Sequence, residues 1–259
     1  MNPPSLSTLS LSLEQGIAEI RLNRPDKSNA MNDAMWQEIR QAFDWVDATP
    51  EARVAILSGA GRNFCAGIDL TLLAGIQQRI AHPDAARSRE ALRRLILDLQ
   101  DCLSSVERCR KPVLAAIQGA CIGGALDLVT SCDMRYAAAD AVFSVREIDL
   151  GMVADVGTLQ RLPRLIPEGA ARELAFTGRN FRAEEGERLG LINRVFASNE
   201  ALTAAVRELA QSIAAKSPLS TRGIKEVMNF SRDHSVADGL NFVATWNASM
   251  LLSGDLNEA

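Results

Sequence analysis

The chain has 259 residues, of which 47% are apolar and 23% are charged, as in a soluble globular protein with a large core. Its net charge of −4 gives no general attraction to nucleic acid, so an anionic ligand would need local Arg and Lys residues. No apolar run reaches the roughly 18 residues of a membrane span, so we expect neither nucleic acid nor membrane as a partner.

The first half of the chain alternates strand and helix patterns. Apolar and polar residues alternate over 9–13 and again over 18–22, which predicts a β-hairpin. A helical period over 33–48 follows, then a short apolar strand over 54–57. A second helical period covers 88–108, where five apolar residues form one stripe.

The middle of the chain continues this alternation. The sequence predicts a strand over 113–117, a short and almost wholly apolar helix over 123–132, and strands over 134–137 and 142–145. Strand and helix patterns alternate through about residue 196. This order indicates α/β architecture.

The last sixty residues differ, because helical periods follow one another with no strand pattern between them. These periods cover 201–215, 218–230 and 236–252. We therefore divide the chain into an α/β core over 1–196 and a helical C-terminal region over 197–259. Such a helical region commonly packs on its own core or on another subunit.

Two glycine-containing loops each follow a predicted strand. The first, Ser58–Asp69, lacks the third glycine of a dinucleotide-binding fingerprint because Phe64 occupies that position. The second, Gly119–Ala125, leads into the apolar helix, where free backbone N–H groups can bind an anion. The two loops could each donate one N–H group to a single oxygen, or the glycines could simply make tight strand exits.

Three acidic residues, Asp127, Glu147 and Asp155, lie among small and apolar neighbours. A carboxylate in such surroundings is costly unless it is paired, hydrogen-bonded or protonated, so the three predict a site that moves protons. Each also has a structural interpretation. Asp127 could be tied to a backbone N–H or an Arg, Glu147 could form a surface ion pair with its neighbour Arg146, and Asp155 could cap a helix.

Cysteine and histidine predict no metal site. The five cysteines form no C-x-x-C pair, and the two histidines lie far apart. The odd cysteine count is typical of a reducing compartment. The start lacks a basic leader and the end, DLNEA, is not a peroxisomal tripeptide, so we expect a cytoplasmic protein.

The motifs together resemble the crotonase (enoyl-CoA hydratase/isomerase) superfamily. The resemblance rests on Leu22-Asn-Arg-Pro, Asn29-Ala-Met, Phe64-Cys-Ala-Gly-Ile-Asp69, Gly123-Gly-Ala-Leu-Asp-Leu128, Glu147-Ile-Asp-Leu-Gly151 and Gly157-Thr-Leu-Gln-Arg-Leu162. Within the superfamily the sequence is most similar to the Δ3,5-Δ2,4-dienoyl-CoA isomerases. Asp127 matches the first hydratase glutamate, Glu147 keeps the second carboxylate, and Asp155 stands where hydratases usually have glycine.

The resemblance implies a fold, an assembly and a reaction. The fold is a spiral of ββα turns with a C-terminal helical region that drives trimer formation, giving a homotrimer or a homohexamer made of two trimers. The reaction converts 3,5-dienoyl-CoA to 2,4-dienoyl-CoA, in the β-oxidation of unsaturated fatty acids. No metal or redox cofactor is implied, because coenzyme A is part of the substrate.

The resemblance also assigns the site residues. Glu147 is the base at C2, Asp155 protonates C6, and Asp127 orients the diene or tunes the other two carboxylates. The backbone N–H groups of Ala66 and Gly124 form an oxyanion hole. The residues implied to bind substrate or CoA are Arg24, Lys27, Ala30, Gly67, Ile68, Asp69 and Gly123, and Lys225 is a weaker candidate.

Two other functions compete with the isomerase. An enoyl-CoA hydratase would hold one water between Asp127 and Glu147, although the shorter Asp and the additional Asp155 argue against it. A scaffold or RNA-binding protein without activity is also represented in the superfamily. The acidic net charge and the three retained carboxylates argue against that alternative.

Overall fold

Two β-sheets organise the part of the chain that the computed structural model describes, residues 3–258. Residues 1, 2 and 259, at the ends of the two predicted regions, lie outside the described residues. The strands are β1 (Leu9–Glu14), β2 (Ile17–Leu22), β3 (Val54–Gly59), β4 (Val113–Ile117), β5 (Ala120–Ile122), β6 (Met134–Ala138), β7 (Val142–Ser144), β8 (Phe181–Arg182) and β9 (Arg194–Phe196).

Helices connect the strands and form the C-terminal part of the described chain. They are α1 (Asp33–Ala48), α2 (Leu70–Arg79), α3 (Ala85–Arg108), α4 (Gly124–Thr130), α5 (Thr158–Leu165), α6 (Glu168–Thr177), α7 (Ala183–Leu189), α8 (Asn199–Ala214), α9 (Pro218–Arg232), α10 (Val236–Met250) and α11 (Gly254–Glu258). Short 3-10 turns cover Pro25–Lys27 and Arg146–Leu150. None of the helices within residues 3–258 is both long enough and apolar enough to cross a membrane.

The sheet topology confirms the predicted α/β architecture. The larger sheet has the order β1-β2-β3-β4-β6-β9, and all its pairs are parallel except the predicted β1-β2 hairpin. The smaller sheet has the order β5-β7-β8. The chain passes from β4 to β5 and from β6 to β7, and a helix follows each pair. This repeated ββα unit winds the chain into a spiral.

Apolar side chains cover both faces of the larger sheet. On one face, α1 and α3 pack together, and Trp36, Phe43 and Leu103 lie in the main core. On the other face, Leu202 and Val206 of α8 pack in a second core on side chains of β2, β3, β4 and β6. A sheet covered on both faces explains why its inner strands read as continuous apolar runs.

The predicted C-terminal region divides into two packing environments. Helix α8 covers the sheet, whereas α9 and α10 pack chiefly on each other, with Phe230 and Phe242 stacked at 4.4 Å between ring centroids. The division at residues 196 and 197 stays a prediction. The packing shows only that α8, the first of the three predicted C-terminal helices, packs on the core.

The structure departs from the predicted helices in several places, among them α6 and α7, which were not predicted. Helix α2 was not predicted, because it is short and contains Gly75, and its start is set by Asp69, which caps it through Thr71. Helix α3 begins at Ala85 and not at Ser88, because Asp84 accepts N–H bonds from its first turn. Helix α4 ends two residues early.

A buried arginine contacts the C-terminal end of α4. The Arg135 guanidinium donates to the carbonyl oxygens of Val129 at 3.4 Å, Cys132 at 2.7 Å and Leu191 at 2.8 Å. It satisfies the Val129 carbonyl in the last turn of the helix and the Cys132 carbonyl just after it. Arg135 thereby fixes the C-terminal end of the helix that carries Asp127.

Candidate active site

An apolar cavity of about 400 Å³ lies where the two predicted glycine loops meet. Its walls come from the loop before α2, the β5–α4 junction, α1, α3 and the segment between β7 and α5. The polar groups at its surface are two carboxylates, Glu147 and Asp155, and one guanidinium, Arg146. The apolar side chains that line it are those of Trp36, Ile68, Leu70, Leu99, Ile122, Leu150, Met152 and Val156.

Close backbone contact holds the two glycine loops together. Cys65 and Cys121 form an isolated parallel bridge, and Ile68 forms another with Met31. Gly67 has φ +92°, and a Cβ atom at this position would lie 2.6 Å from the Ile122 carbonyl oxygen. Only glycine fits here, because the backbones approach too closely for a side chain and the φ angle is positive.

The structure corrects one of the two expected oxyanion donors. The Ala66 N–H group donates to the Ser28 carbonyl oxygen at 2.9 Å, so it is not available to a ligand. The N–H groups of Ile68 and Gly124 have no acceptor within the described part of the chain, and both residues line the cavity. Ile68 is therefore the free donor on the first loop, two residues after Ala66.

Glu147 lies in the 3-10 turn after β7, beside the Gly123 backbone. A Cβ atom on Gly123 would be 3.1 Å from Glu147 Oε1. Glu147 Oε2 is buried and has no hydrogen-bond partner in the described chain. Burial and the nearby Asp127 charge raise the pKa of Glu147 to about 7.

The ion pair that the sequence allowed for Glu147 is absent from the described structure. The Arg146 guanidinium donates to Asp149 at 2.8 Å and to Asn180 at 2.5 Å. Arg146 therefore points away from the neighbouring carboxylate, although it also lines the cavity. The interpretation of Glu147 as part of a surface ion pair was wrong, and its carboxyl group lies in apolar surroundings.

Asp127 is fully buried and is not among the residues that line the cavity. Its Oδ1 accepts a hydrogen bond of 2.5 Å from the Thr158 N–H group, and its Oδ2 has no partner within the described chain. The structural interpretation, a tie to a backbone N–H, is confirmed. Burial raises the pKa of Asp127 to about 6, against the lowering effect of the hydrogen bond.

Asp155 lies at the cavity surface just before α5. The N-cap of α5 is Gly157, which has no side chain, so the predicted capping role of Asp155 was wrong. Gln100 of α3 donates to the Asp155 backbone carbonyl at 2.6 Å and holds the segment in place. Partial desolvation of the carboxyl group raises its pKa.

The three carboxyl groups act on one another electrostatically. The Asp155 charge raises the pKa of Asp127 and of Glu147, and the Asp127 charge raises that of Glu147. Like charges that are close together in a poorly solvated site favour protonation of at least one member. The arrangement can therefore hold both an acid and a base near neutral pH, as general acid–base catalysis requires.

The structure separates the candidate CoA-binding residues into two groups. Ala30, Gly67, Ile68 and Gly123 line the cavity as the resemblance implied. Asp69 does not line it. Its carboxylate caps α2 and pairs with another candidate, Arg24.

The basic candidates also differ. Arg24 donates to Asp69 at 3.0 Å and to the Ala30 carbonyl, so its charge is neutralised and it holds the loop in place. Lys225 is buried and donates to Asp133 at 2.7 Å, so it is part of the core. Lys27 is exposed, and no hydrogen-bond or ion-pair partner is found for its side-chain ammonium group in residues 3–258. It is the candidate that keeps a free positive charge.

The sequence did not identify the apolar walls of the cavity. Trp36 and Leu99 belong to the apolar stripes of α1 and α3, which a sequence pattern cannot separate into core and cavity positions. Leu150 and Met152 lie in a short irregular segment without periodicity. In residues 3–258 no three His, Cys, Asp or Glu side chains gather as metal ligands.

Comparisons with known proteins agree with this geometry. The model of the enoyl-CoA hydratase/isomerase family matches residues 12–252. The chain is 46% identical to the peroxisomal Δ(3,5)-Δ(2,4)-dienoyl-CoA isomerase of Arabidopsis thaliana, over 98% of this chain and 92% of that protein. It is also 46% identical to the mitochondrial Δ(3,5)-Δ(2,4)-dienoyl-CoA isomerase of Homo sapiens, over 95% of this chain and 75% of that protein.

The solved structures agree on the fold. The enoyl-CoA hydratase of Bacillus anthracis matches with a TM-score of 0.87 at 30% identity, and the match covers 97% of this chain and 94% of that one. This likeness confirms the predicted crotonase fold, including the helical C-terminal region.

The relatives' names correct the expected localisation. One is peroxisomal and the other mitochondrial, so the expectation of a cytoplasmic protein was wrong. That expectation rested on short stretches at the two ends of the sequence.

The raised pKa of Glu147 predicts that this residue costs stability at high pH. Its pKa is higher in the folded protein, about 7, than in the unfolded chain, so folding binds a proton between these values. The stability contribution of Glu147 therefore falls as pH rises through this window. We expect Glu147→Gln to raise the melting temperature at pH 8 by about 2–4 °C.

Calorimetry across pH would check this prediction. The difference between Glu147→Gln and the unsubstituted protein should shrink toward pH 5, where the wild-type carboxyl group is already protonated. Glu208→Gln, at an exposed position on α8, is the matched control and should change nothing. An equal melting temperature at pH 8 would show that Glu147 is well solvated.

Proposed function

Because the chain belongs to the enoyl-CoA hydratase/isomerase family, we propose that it converts 3,5-dienoyl-CoA to 2,4-dienoyl-CoA. The observation that carries the proposal is the pair Glu147 and Asp155 on one apolar cavity, next to two free N–H groups. The names of relatives with 46% identity support the same reaction. Its setting would be the β-oxidation of unsaturated fatty acids.

The first step of the proposed reaction removes a proton from C2 of the acyl chain. Glu147 is the base, since its raised pKa of about 7 gives it affinity for a proton at neutral pH. The resulting dienolate carries negative charge on the thioester oxygen. The N–H groups of Ile68 and Gly124 would bind that oxygen, and donors of this kind stabilise the charge that develops in the transition state.

The second step delivers a proton to C6, at the other end of the conjugated system. Asp155 is the donor, since it lines the same cavity and its pKa is raised toward the protonated form. Asp127 touches neither carbon, because it is fully buried and does not line the cavity. It is a positioning residue, which holds the start of α5 and adds negative charge near Glu147.

The remaining residues would hold the substrate. The apolar walls would take the acyl chain, and Lys27 would supply positive charge to the phosphates of CoA. Hydrogen moves as a proton in both steps, so the reaction needs no redox group and no metal.

The hydratase alternative is less well supported by the geometry. A hydratase needs two carboxylates on one water, and the sequence offered Asp127 and Glu147 for that role. Asp127 does not line the cavity, and one of its oxygens is taken by the Thr158 N–H group. Glu147 and Asp155, by contrast, both line the cavity.

We also propose that the chain forms a trimer or a hexamer through α9 and α10. These helices expose large apolar side chains, which usually mark an interface. The exposed fractions are Ile224 60%, Met228 68%, Val236 80% and Leu240 63%. Light scattering should give three or six times the 28.0 kDa chain mass, and a monomer at micromolar concentration would contradict the proposal.

The isomerase proposal is tested with purified protein and a 3,5-dienoyl-CoA. The product has both double bonds conjugated with the thioester, so absorption should grow at longer wavelength. Glu147→Gln and Asp155→Asn should each lower kcat by a factor of about 100 or more, since each removes a general acid or base. Asp44→Asn, at an exposed position on α1, is the control.

Two results would overturn this assignment. One is rapid hydration of crotonyl-CoA with no isomerisation, which would make the protein a hydratase. The other is wild-type isomerisation by a folded Asp155→Asn variant, which would remove Asp155 from the reaction.

The proposed oxyanion hole predicts the effect of a single methyl group. In Gly67→Ala the new Cβ would collide with the Ile122 carbonyl oxygen and move the Ile68 N–H group away from Gly124. We expect kcat to fall by a factor of about 100–1000, the usual effect of losing one oxyanion donor. Gly75→Ala on α2 is the matched control, because nothing lies within 4 Å of its new Cβ.

A further inference from the structure

Asp155 lines a second cavity besides the apolar one. This polar cavity has a volume of about 650 Å³ and lies between α3, α5 and the end of α9. Asp155 and Val156 belong to the linings of both cavities, whereas Glu147 lines only the apolar one. Asp155, which is exposed, therefore borders both cavities.

The lining of the polar cavity suits water. Gln100, Ser104, Thr130 and Gln160 contribute hydroxyl and amide groups. Water occupies spaces that are roomy and offer several polar partners, and a volume of this size holds many molecules. Gln160 is exposed, so the cavity opens to bulk solvent at its rim.

Ion pairs connect the helices that form the walls of the polar cavity. Glu107 of α3 accepts from Arg161 of α5 at 2.8 Å and from Arg232 of α9 at 2.5 Å. A second pair, Arg164 and Asp233, ties α5 to the residue after α9 at 2.5 Å. These pairs join the three helices around the space, so the polar cavity is a built feature of the fold.

The proposed reaction exchanges the protonation states of the two carboxyl groups. The C2–H bond breaks and an O–H bond forms on Glu147, while the O–H bond of Asp155 breaks and a C6–H bond forms. After one turnover Glu147 is protonated and Asp155 is ionised. Before the next turnover one proton must leave Glu147 and another must reach Asp155.

We propose that water in the polar cavity supplies this proton to Asp155, so that the hydrogen delivered to C6 comes from solvent and not from C2. The inference rests on the proposed isomerase function. An acyl chain in the apolar cavity would cover Glu147, whose Oε2 is already buried. Asp155 stays connected to solvent through its other side, and the two carboxyl groups therefore exchange protons by different routes.

The test is turnover of unlabelled 3,5-dienoyl-CoA in D₂O, stopped at low conversion and analysed by mass spectrometry and NMR. We expect nearly every product molecule to carry deuterium at C6, and recovered substrate to keep hydrogen at C2. Product that carries hydrogen at C6 would overturn the proposal, because the proton would then pass internally from Glu147. Formation of no 2,4-dienoyl-CoA would overturn the isomerase function itself.

A variant that fills the polar cavity tests the route. Gln160→Trp breaks no side-chain hydrogen bond found in the described chain, and Gln211→Trp at an exposed position on α8 is its matched control. In D₂O, Gln160→Trp should lower the deuterium content at C6 to half or less, and the control should leave it unchanged. Ser104→Leu, which fills the cavity from α3, should act in the same direction. Unchanged deuterium content in both folded cavity variants would show that Asp155 exchanges by another path.

Discussion

The contact between Gly67 and the Ile122 carbonyl governs the geometry of the site. The two loops belong to distant parts of the chain, and the isolated bridge between Cys65 and Cys121 holds them together. This approach aims the free N–H groups of Ile68 and Gly124 at one cavity. Donors fixed by the backbone lose little orientational freedom when a charge develops, which is why such sites stabilise oxyanions well.

Burial of the carboxyl groups costs stability and at the same time makes these groups reactive. Asp127 and Glu147 each bury an oxygen that has no hydrogen-bond partner in the described chain. Such groups cost free energy, which the large apolar core must offset. The same desolvation raises their pKa values toward neutrality and makes proton transfer possible. Reactivity and local instability therefore have one cause.

Local patterns predicted the fold well, and the site only in part. The hairpin and α1 follow from apolar periodicity, and the three carboxylates stand out because their neighbours are apolar. Which N–H group is free does not follow from any pattern. The Ala66 amide is occupied by Ser28, a residue nearly forty positions earlier, so only the tertiary contact reveals Ile68 as the donor.

Charges were the least predictable part of the site. Arg24 and Lys27 look equivalent in the sequence, yet Arg24 is neutralised by Asp69 and Lys27 remains exposed. Pairing of this kind depends on side chains that meet only after folding. The polar cavity was not predicted for the same reason, because its walls come from three separate helices.

The hydrogen bond from Thr158 to Asp127 connects Asp127 with the segment that carries Asp155. Asp127 fixes the first residue of α5, and Asp155 lies three residues before it. A substitution at 127 would therefore displace the segment that carries Asp155, and the effects of changes at the two positions would not add. The effect of a change at residue 155 would therefore depend on which residue occupies position 127.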